Sequence, residues 1–320
     1  MTTPSVKKKT PRPELPDHYG KQEAKTFNLQ EYTSSEFVRF LFPKIMLFLG
    51  QWLAAQTLSM IHGPRGLGKT YFALNIAHAV STGTQYLGWM AAEAKVVLYL
   101  EGEMSAIALQ SRLKKIIQST GAHPRNNLRI VTPDLQKGFL PDLSTVEGQR
   151  MIDAAIADDV DVVIVDNLSC WSKSGREDAE TWAPIAEWAL RLRARRISVI
   201  FIHHSGKSGG QRGTSRREDL LDTVISLKPI PKSQPSDGAG FEVHYEKSRN
   251  ITGTDVEPFQ AKLLEDDDGK QFWERSPIGN QEDPMKIKAQ EMFYDGVTQA
   301  EISKKLGVHK STVSRWINNK

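Results

Sequence analysis

The most informative segment of the sequence, residues 57–80, reads TLSMIHGPRGLGKTYFALNIAHAV. It opens with a short apolar run, continues through a glycine-rich loop, and ends with apolar residues at helical spacing. The loop, residues 63–70, keeps glycine, lysine and threonine at the G-x4-G-K-T spacing of a Walker A phosphate-binding loop. Strand, loop and helix in this order predict the first unit of an α/β domain.

The residue types of the loop suit a bound nucleotide. Glycine lets backbone amides turn toward phosphate oxygens, Lys69 offers positive charge to the β and γ phosphates, and Thr70 can bind Mg²⁺. The start of the following helix adds a partial positive charge. The alternative is a glycine-rich turn without a ligand. The predicted ATP and Mg²⁺ site consists of Gly63, Gly66, Gly68, Lys69, Thr70 and Tyr71.

Further strands and helices alternate along the chain. Continuous apolar runs predict buried strands at 95–100, 160–165 and 197–202. Helical spacing is present at 105–119 and 180–196, and later strands are expected at 224–227, 242–245, 259–264 and 271–273. This alternation predicts an α/β fold with a parallel central sheet.

Composition excludes several classes of protein. Hydrophobic residues make up 39% and charged residues 25%, which is ordinary for a globular protein. The single cysteine, Cys170, excludes an internal disulfide and a cysteine-based metal site. Charged residues and a proline interrupt the apolar segment 37–55, so we expect it to lead into the core as a buried or interfacial segment. No secretory signal is recognisable, and we expect a cytoplasmic protein without a membrane role.

The chain divides into four predicted regions. Residues 1–30 are expected to form a flexible basic arm, 31–275 the α/β core, 276–284 a linker, and 285–320 a small helical domain. The last region carries seven Lys or Arg against three Asp or Glu, an excess equal to the net charge of +4 of the whole chain. Positive charge is therefore concentrated near the ends.

Carboxylates follow two of the predicted strands. Asp166 ends the run 162–165, where a Walker B carboxylate that helps to hold Mg²⁺ belongs, although it could simply cap the next turn. Glu101 and Glu103 follow the strand 95–100, at the carboxyl edge where ligands bind in such sheets. Hydrolysis of ATP needs a group that orients the attacking water, and either glutamate could do this. Either could also cap the next helix.

The segment LEGEMS, residues 100–105, resembles the strand-end motif of hexameric replicative helicases of the RepA and DnaB kind. The resemblance covers about residues 52–273 and implies a RecA-like P-loop core that works as a hexameric ring. It also implies that Glu103 polarises the water. The pair His203 and His204 is similar to one that senses the γ phosphate in RepA-like proteins, which implies this role for His204. A zinc site is the alternative for the pair.

Two basic segments are also similar to parts of this family. The loop SGKSGGQRGTSRR, residues 205–217, is placed to line a ring channel, where Lys207, Arg216 and Arg217 would follow single-stranded DNA. Within this loop, RGTS at residues 212–215 resembles the Arg-Gly-x-Ser segment of RepA-like proteins. This resemblance implies that Arg212 acts at the active site of a neighbouring subunit. KSRN, residues 247–250, resembles the signature that DnaB-type helicases insert into the adjacent subunit, which implies Lys247 and Arg249 as trans-acting residues. The alternative for residues 205–217 is a solvated surface loop, and the alternative for residues 247–250 is an exposed basic strand end.

Residues 285–320 predict a helix-turn-helix. Thr298 and Glu301 form a capping box, Gly307 suits a helix C-terminus, and helices are expected at 285–293, 299–306 and 309–317. The predicted core is Ala300, Ile302, Leu306, Val308, Val313 and Ile317. The residues predicted to contact duplex DNA are Lys310, Ser311, Thr312, Ser314 and Arg315. A protein-docking helical domain is the alternative.

The favoured hypothesis is a RepA-like helicase or translocase that acts in replication of a plasmid, phage or mobile element. The second hypothesis is an ATP-switched DNA-binding regulator or loader without unwinding activity. The predicted helix-turn-helix favours this hypothesis more than the predicted motor core does. A recombination ATPase of the RecA or RadA kind is the third.

Overall fold

The structure is a computed structural model, and it describes residues 30–172, 179–204, 219–231, 239–249, 251–266, 269–278, 284–308 and 310–318. The helices in these ranges are α1 (Ser34–Phe37), α2 (Lys69–Thr82), α3 (Ala106–Thr120), α4 (Val146–Asp153), α5 (Leu168–Trp171), α6 (Ala179–Ala194), α7 (Pro284–Tyr294), α8 (Gln299–Leu306) and α9 (Lys310–Asn318). The strands are β1 (Leu47–Leu49), β2 (Leu53–Ala54), β3 (Leu58–Gly63), β4 (Gln85–Tyr86), β5 (Trp89–Met90), β6 (Val97–Glu101), β7 (Leu128–Val131), β8 (Val162–Asp166), β9 (Ser198–His204), β10 (Thr223–Lys228), β11 (Gly240–Ser248), β12 (Phe259–Glu265) and β13 (Gln271–Pro277).

A large sheet organises the core. Within the described residues its strand order is β13-β12-β11-β10-β3-β9-β8-β6-β7. The strands from β7 to β10 are mutually parallel, whereas β10 to β13 pair antiparallel. The predicted α/β fold with a parallel central sheet is confirmed, and the later strands form an antiparallel extension of the same sheet.

Helices cover both faces of the parallel strands. On one face α2 packs against strand residues such as Ile61, Ile164 and Ile202. Twelve of the fourteen residues of α2 are buried, so this helix lies inside the domain rather than on its surface. On the other face, α5 and α6 pack against residues such as Met60 and Phe201. Burial on both sides explains why these strands are continuously apolar.

Several short elements were not predicted from the sequence. They include the edge strand β7 and the helices α4 and α5. All four residues of β7 are only half-buried, and one of them is Arg129. A strand of this kind lacks the continuous apolar run that marks the buried strands.

The described residues 30–44 belong to a unit separate from the unit that begins at Ile45. In its described part, the Thr33 hydroxyl and the Glu36 carboxylate form a capping box at the start of α1. The aromatic rings nearby pack on one another, with Phe37 and Phe42 centroids 5.7 Å apart, yet they stay exposed. The segment 37–55 was expected to lead into the core as a buried or interfacial segment; residues 37–47 are exposed, so burial was wrong for them, and it begins at Phe48. A four-residue helix offers too little surface to cover these rings.

Helices α7, α8 and α9 match the three helices predicted near residue 300. Thr298 and Glu301 form the expected capping box, and Gly307 ends α8 with a φ of 65°. The small core contains the predicted residues Ile302, Leu306, Val308, Val313 and Ile317, joined by Ala289, Met292, Val297 and Trp316. Ala300 was predicted in this core but is exposed. It lies two residues before Ile302, which places it on the far side of the helix.

Two further observations concern the chain as a whole. Strand β13 continues to Pro277, which lies within the predicted linker 276–284. Among the described helices, none combines the length and apolar character that crossing a membrane requires.

Candidate active site

The phosphate loop connects β3 to α2 as predicted. Gly66 and Gly68 have positive φ angles of 78° and 96°, which favour glycine. Gly63 is required for another reason, since a Cβ atom there would lie 2.6 Å from the Leu227 carbonyl oxygen. No side chain caps the start of α2, so its first amides are available to a ligand.

Lys69 is the buried cation of this loop. Its side chain donates hydrogen bonds to the carbonyl oxygens of Gly63 at 2.8 Å and Pro64 at 2.7 Å. Burial lowers the pKa of Lys69 to about 8, although the nearby carboxylates of Asp166 and Glu103 act in the opposite direction. An ammonium group held in this way has lost water that a phosphate group can replace.

Asp166 ends β8 and is 2% exposed. The Tyr99 hydroxyl donates to Asp166 Oδ2 at 2.6 Å, and the Thr70 side chain also hydrogen-bonds to this carboxylate. Burial raises the pKa of Asp166, and the two hydrogen bonds oppose that rise. The structure therefore brings together the two residues predicted to bind metal.

This donor set fits Mg²⁺ bound with a nucleotide. Mg²⁺ prefers hard oxygen ligands and commonly uses one or two protein groups together with water and substrate phosphates. The Thr70 hydroxyl and the Asp166 carboxylate are ligands of this kind. No group of three or more His, Cys, Asp or Glu in the described ranges could hold a metal ion by itself. An ion here would therefore complete its coordination with water and phosphate oxygens.

The two candidate glutamates have different surroundings. Glu101 is 1% exposed, and its Oε1 accepts the backbone N–H groups of Glu103 and Met104, each at 2.7 Å. Its Oε2 is buried and has no hydrogen-bond partner. Burial, followed by the charge of Asp166, raises the pKa of Glu101 to about 7. Glu101 shapes the turn, whereas the side chain of Glu103 is 62% exposed and can reach solvent.

Glu103 is in contact with the ends of two neighbouring strands. Its Oε2 accepts a hydrogen bond from Asn167 Nδ2, and it lies 3.3 Å from His204 Nε2. Asn167 Nδ2 is also 3.0 Å from His204 Nε2. The other histidine, His203, is 3% exposed and is paired in register with His62 inside the sheet. Of the two histidines, His204 is the one beside Glu103.

The Tyr71 side chain lies in the core rather than at the loop. Its hydroxyl donates to Gln271 Oε1 of β13 at 2.7 Å, and its ring centroid lies 6.0 Å from that of Trp273. The ring is therefore committed to packing, and only the backbone amide of Tyr71 is left for a phosphate.

Lys247 and Arg249 lie at the opposite edge of the sheet from the phosphate loop. Lys247 pairs with Val224 near the start of β10, whereas the phosphate loop follows the end of β3, which is parallel to β10. The Arg249 amide donates to the Asp222 carbonyl at 2.9 Å, and its guanidinium donates to the carbonyl of Asp219. The structure does not bring these two residues to the site formed by Lys69.

The remaining predicted residues are described only in part. Lys207, Arg212, Arg216 and Arg217 lie outside the described residues. Lys310 is exposed and Ser314 is half-buried. The side chains of Ser311, Thr312 and Arg315 also lie outside the description.

Sequence reasoning missed two side chains of the site, Tyr99 and Asn167. Tyr99 lies two residues before Glu101 on β6, and it meets Asp166 because β6 and β8 pair with Glu101 beside Asp166. That register is not readable from the sequence. Asn167 directly follows Asp166 across a cis peptide bond, and its adjacency to the predicted Walker B carboxylate was the available signal.

Comparison with known proteins places this chain in a family. The profile of a family described as AAA domain matches residues 23–210, more than half of the 320 residues. A homeodomain-like domain profile matches residues 280–319. Among solved structures, the crystal structure of the RadB recombinase is similar, with 17% identity and a TM-score of 0.46 over 66% of this chain and 88% of that chain. A search of curated proteins gave no match. The chain therefore belongs to the AAA domain family, with an ATPase core built on a largely parallel α/β sheet and followed by a homeodomain-like module.

Proposed function

We propose that the protein is an ATP-driven DNA motor, a RepA-like hexameric helicase or translocase that acts in replication of a plasmid, phage or mobile element. One observation carries the ATPase part of this proposal. Lys69, Asp166, Glu103 and His204 come from four neighbouring parallel strands or the loops after them, and they meet at one sheet edge.

Each of these residues has a proposed role. The loop amides and Lys69 bind the phosphates, and Thr70 and Asp166 hold Mg²⁺. When bound, the ion neutralises charge that develops on the transferred phosphoryl group. Glu103 accepts a proton from the attacking water through its solvent-accessible carboxylate, and His204 contacts the terminal phosphate.

The assembly is proposed from the position of the basic residues. Lys247 lies near the end of β11, which runs antiparallel to β10, and Arg249 directly follows that strand, so both lie at the edge away from their own phosphate loop. A charge-stabilising role for them therefore requires the site of another subunit. A closed ring repeats such a head-to-tail contact without leaving an open end, which supports a ring assembly.

Contact with DNA is proposed at two places. The homeodomain-like module would bind duplex DNA through Lys310, Ser311, Thr312, Ser314 and Arg315, after a linker between Pro277 and Pro284. The segment that contains Lys207, Arg216 and Arg217 would follow single-stranded DNA inside the ring. Arg212 of the same segment would act at a neighbouring active site.

Two assays performed together test this proposal. We expect ATP hydrolysis that single-stranded DNA stimulates, and displacement of a labelled strand from a forked duplex. The matched control is Lys69→Ala, which removes the cation of the phosphate loop and should abolish both activities. Full ATPase activity in that variant would refute the site.

A second candidate function is favoured by the helix-turn-helix match. An ATP-switched regulator or loader would hydrolyse ATP and bind duplex DNA without separating strands. DNA-stimulated hydrolysis without strand displacement on any forked substrate would select this function over the helicase.

A further inference from the structure

We propose that Asn167 is a positioning residue, which holds one oxygen of Glu103 so that the other faces the attacking water. This inference rests on the proposed ATPase function and extends it to a side chain outside the motif residues. Asn167 is 2% exposed, so its side chain is surrounded by protein rather than by solvent.

The amide orientation of Asn167 is set by α5. Its Oδ1 accepts the backbone N–H of Cys170 at 3.2 Å and so caps the start of that helix. An amide oxygen satisfies this donor, whereas an amide nitrogen does not. Nδ2 is therefore the atom that faces Glu103 and His204.

The three contacts among Asn167, Glu103 and His204 cannot all be hydrogen bonds at the same time. Asn167 Nδ2 carries two hydrogens and can donate both to Glu103 Oε2 and to His204 Nε2. His204 Nε2 accepts in that arrangement, and so it does not donate to Glu103. If Nε2 carries a proton, it donates to Glu103 Oε2 instead, and it no longer accepts from Asn167. Asn167 remains bonded to Glu103 in both arrangements.

Anchoring of Oε2 has a consequence for hydrolysis. Glu103 projects from the turn after β6 and its side chain is 62% exposed, so rotamer freedom would spread its carboxylate over several positions. The hydrogen bond from Asn167 limits this freedom and leaves Oε1 for a water molecule. Misplacement of a catalytic group by about 1 Å can lower a rate about 100-fold.

Two substitutions separate this role from helix capping. Asn167→Ser keeps an oxygen that can cap α5 but is too short to reach Glu103, and we expect kcat to fall about 10- to 100-fold. Asn167→Asp keeps the shape and is a good N-cap, but it replaces the donor with a carboxylate that repels Glu103. A role limited to capping predicts wild-type turnover for Asn167→Ser, whose hydroxyl still caps α5. Positioning predicts a loss in Asn167→Ser and a loss at least as large in Asn167→Asp.

The experiment measures kcat and KM for ATP, binding of a fluorescent ATP analogue, and thermal unfolding of the full chain. Support requires a fall in kcat with analogue affinity within about threefold of wild type, and no further fall when Asn167→Ser is added to Glu103→Gln. Asn127→Ser is the matched control, because Asn127 Nδ2 donates to the Ser81 carbonyl, away from the site.

Other results would overturn the inference. Wild-type kcat in both Asn167 variants, or a parallel loss of kcat and analogue affinity in both, would remove the positioning role while leaving the proposed ATPase intact. If Asn167→Ser unfolds at a lower temperature, the isosteric Asn167→Asp decides the question. Absence of ATPase activity in the wild-type chain would refute the proposed function itself, and this inference with it.

Discussion

Replacing Glu101 by Gln should flatten the pH dependence of the stability of the nucleotide-free protein. Glu101 ends β6 with one oxygen on the amides of Glu103 and Met104 and the other buried without a partner. Burial there raises its pKa from 4.5 to about 7. A glutamine oxygen can accept the same two amides, and glutamine carries no charge at any pH.

The sign and size of the effect follow from linkage. Between pH 4.5 and about 7 the folded protein keeps the Glu101 proton while the unfolded chain has lost it. The contribution of this group to the free energy of unfolding is therefore complete below pH 4.5 and is lost as the pH rises to about 7. At about 1.4 kcal/mol per pH unit, the loss is about 3 kcal/mol.

Urea denaturation at pH 5 and pH 8, without nucleotide or metal, measures this quantity. The difference in unfolding free energy between Glu101→Gln and wild type should move by about 3 kcal/mol in favour of the variant between the two pH values. Glu93→Gln is the control, because Glu93 is exposed and lies beside Lys95, which lowers its pKa. If the difference in unfolding free energy between Glu101→Gln and wild type is the same at pH 5 and pH 8, the reasoning is refuted.

Three further predictions concern activity. Glu103→Gln should bind ATP with near wild-type affinity but lose about 100-fold or more in turnover, measured by phosphate release; the same behaviour in Glu101→Gln instead would exchange the roles of the two residues. Mixing Arg249→Ala subunits with Lys69→Ala subunits should restore part of the ATPase activity, and no rescue at any ratio would argue against action in trans. Deleting residues 285–320 should abolish salt-sensitive binding to duplex DNA in a fluorescence anisotropy titration, and unchanged binding would place the duplex site elsewhere.

The parallel core was predictable because burial on both faces leaves a strong signal in the sequence. Runs such as 160–165 and 197–202 correspond to β8 and β9. The half-buried strand β7 carries no such run and was missed. Ala300 was misassigned because one apolar residue in a short helix does not define a face by itself.

The site was predictable only as far as its parts follow strand ends. The direction of parallel strands alone could place Lys69, Asp166, the pair Glu101 and Glu103, and the pair His203 and His204 at one edge. The choice of Glu103 and His204 within these pairs came from the resemblance to RepA-like and DnaB-like helicases. The contacts between them depend on register and on rotamers, which the sequence does not encode locally. For the same reason the hydroxyl of Tyr99 on Asp166 became visible only in the structure.

The hydrogen bond between Tyr71 and Gln271 has a mechanical consequence. Tyr71 lies in the first turn of α2, one residue after Thr70, and Gln271 opens the last strand of the sheet. That strand ends at Pro277, and α7 of the helix-turn-helix begins at Pro284. The first turn of α2, which is proposed to bind phosphate, is thus linked by one direct hydrogen bond to the strand that precedes the homeodomain-like module. A shift of that first turn would therefore displace this strand directly through the hydrogen bond, without first displacing the other strands of the sheet.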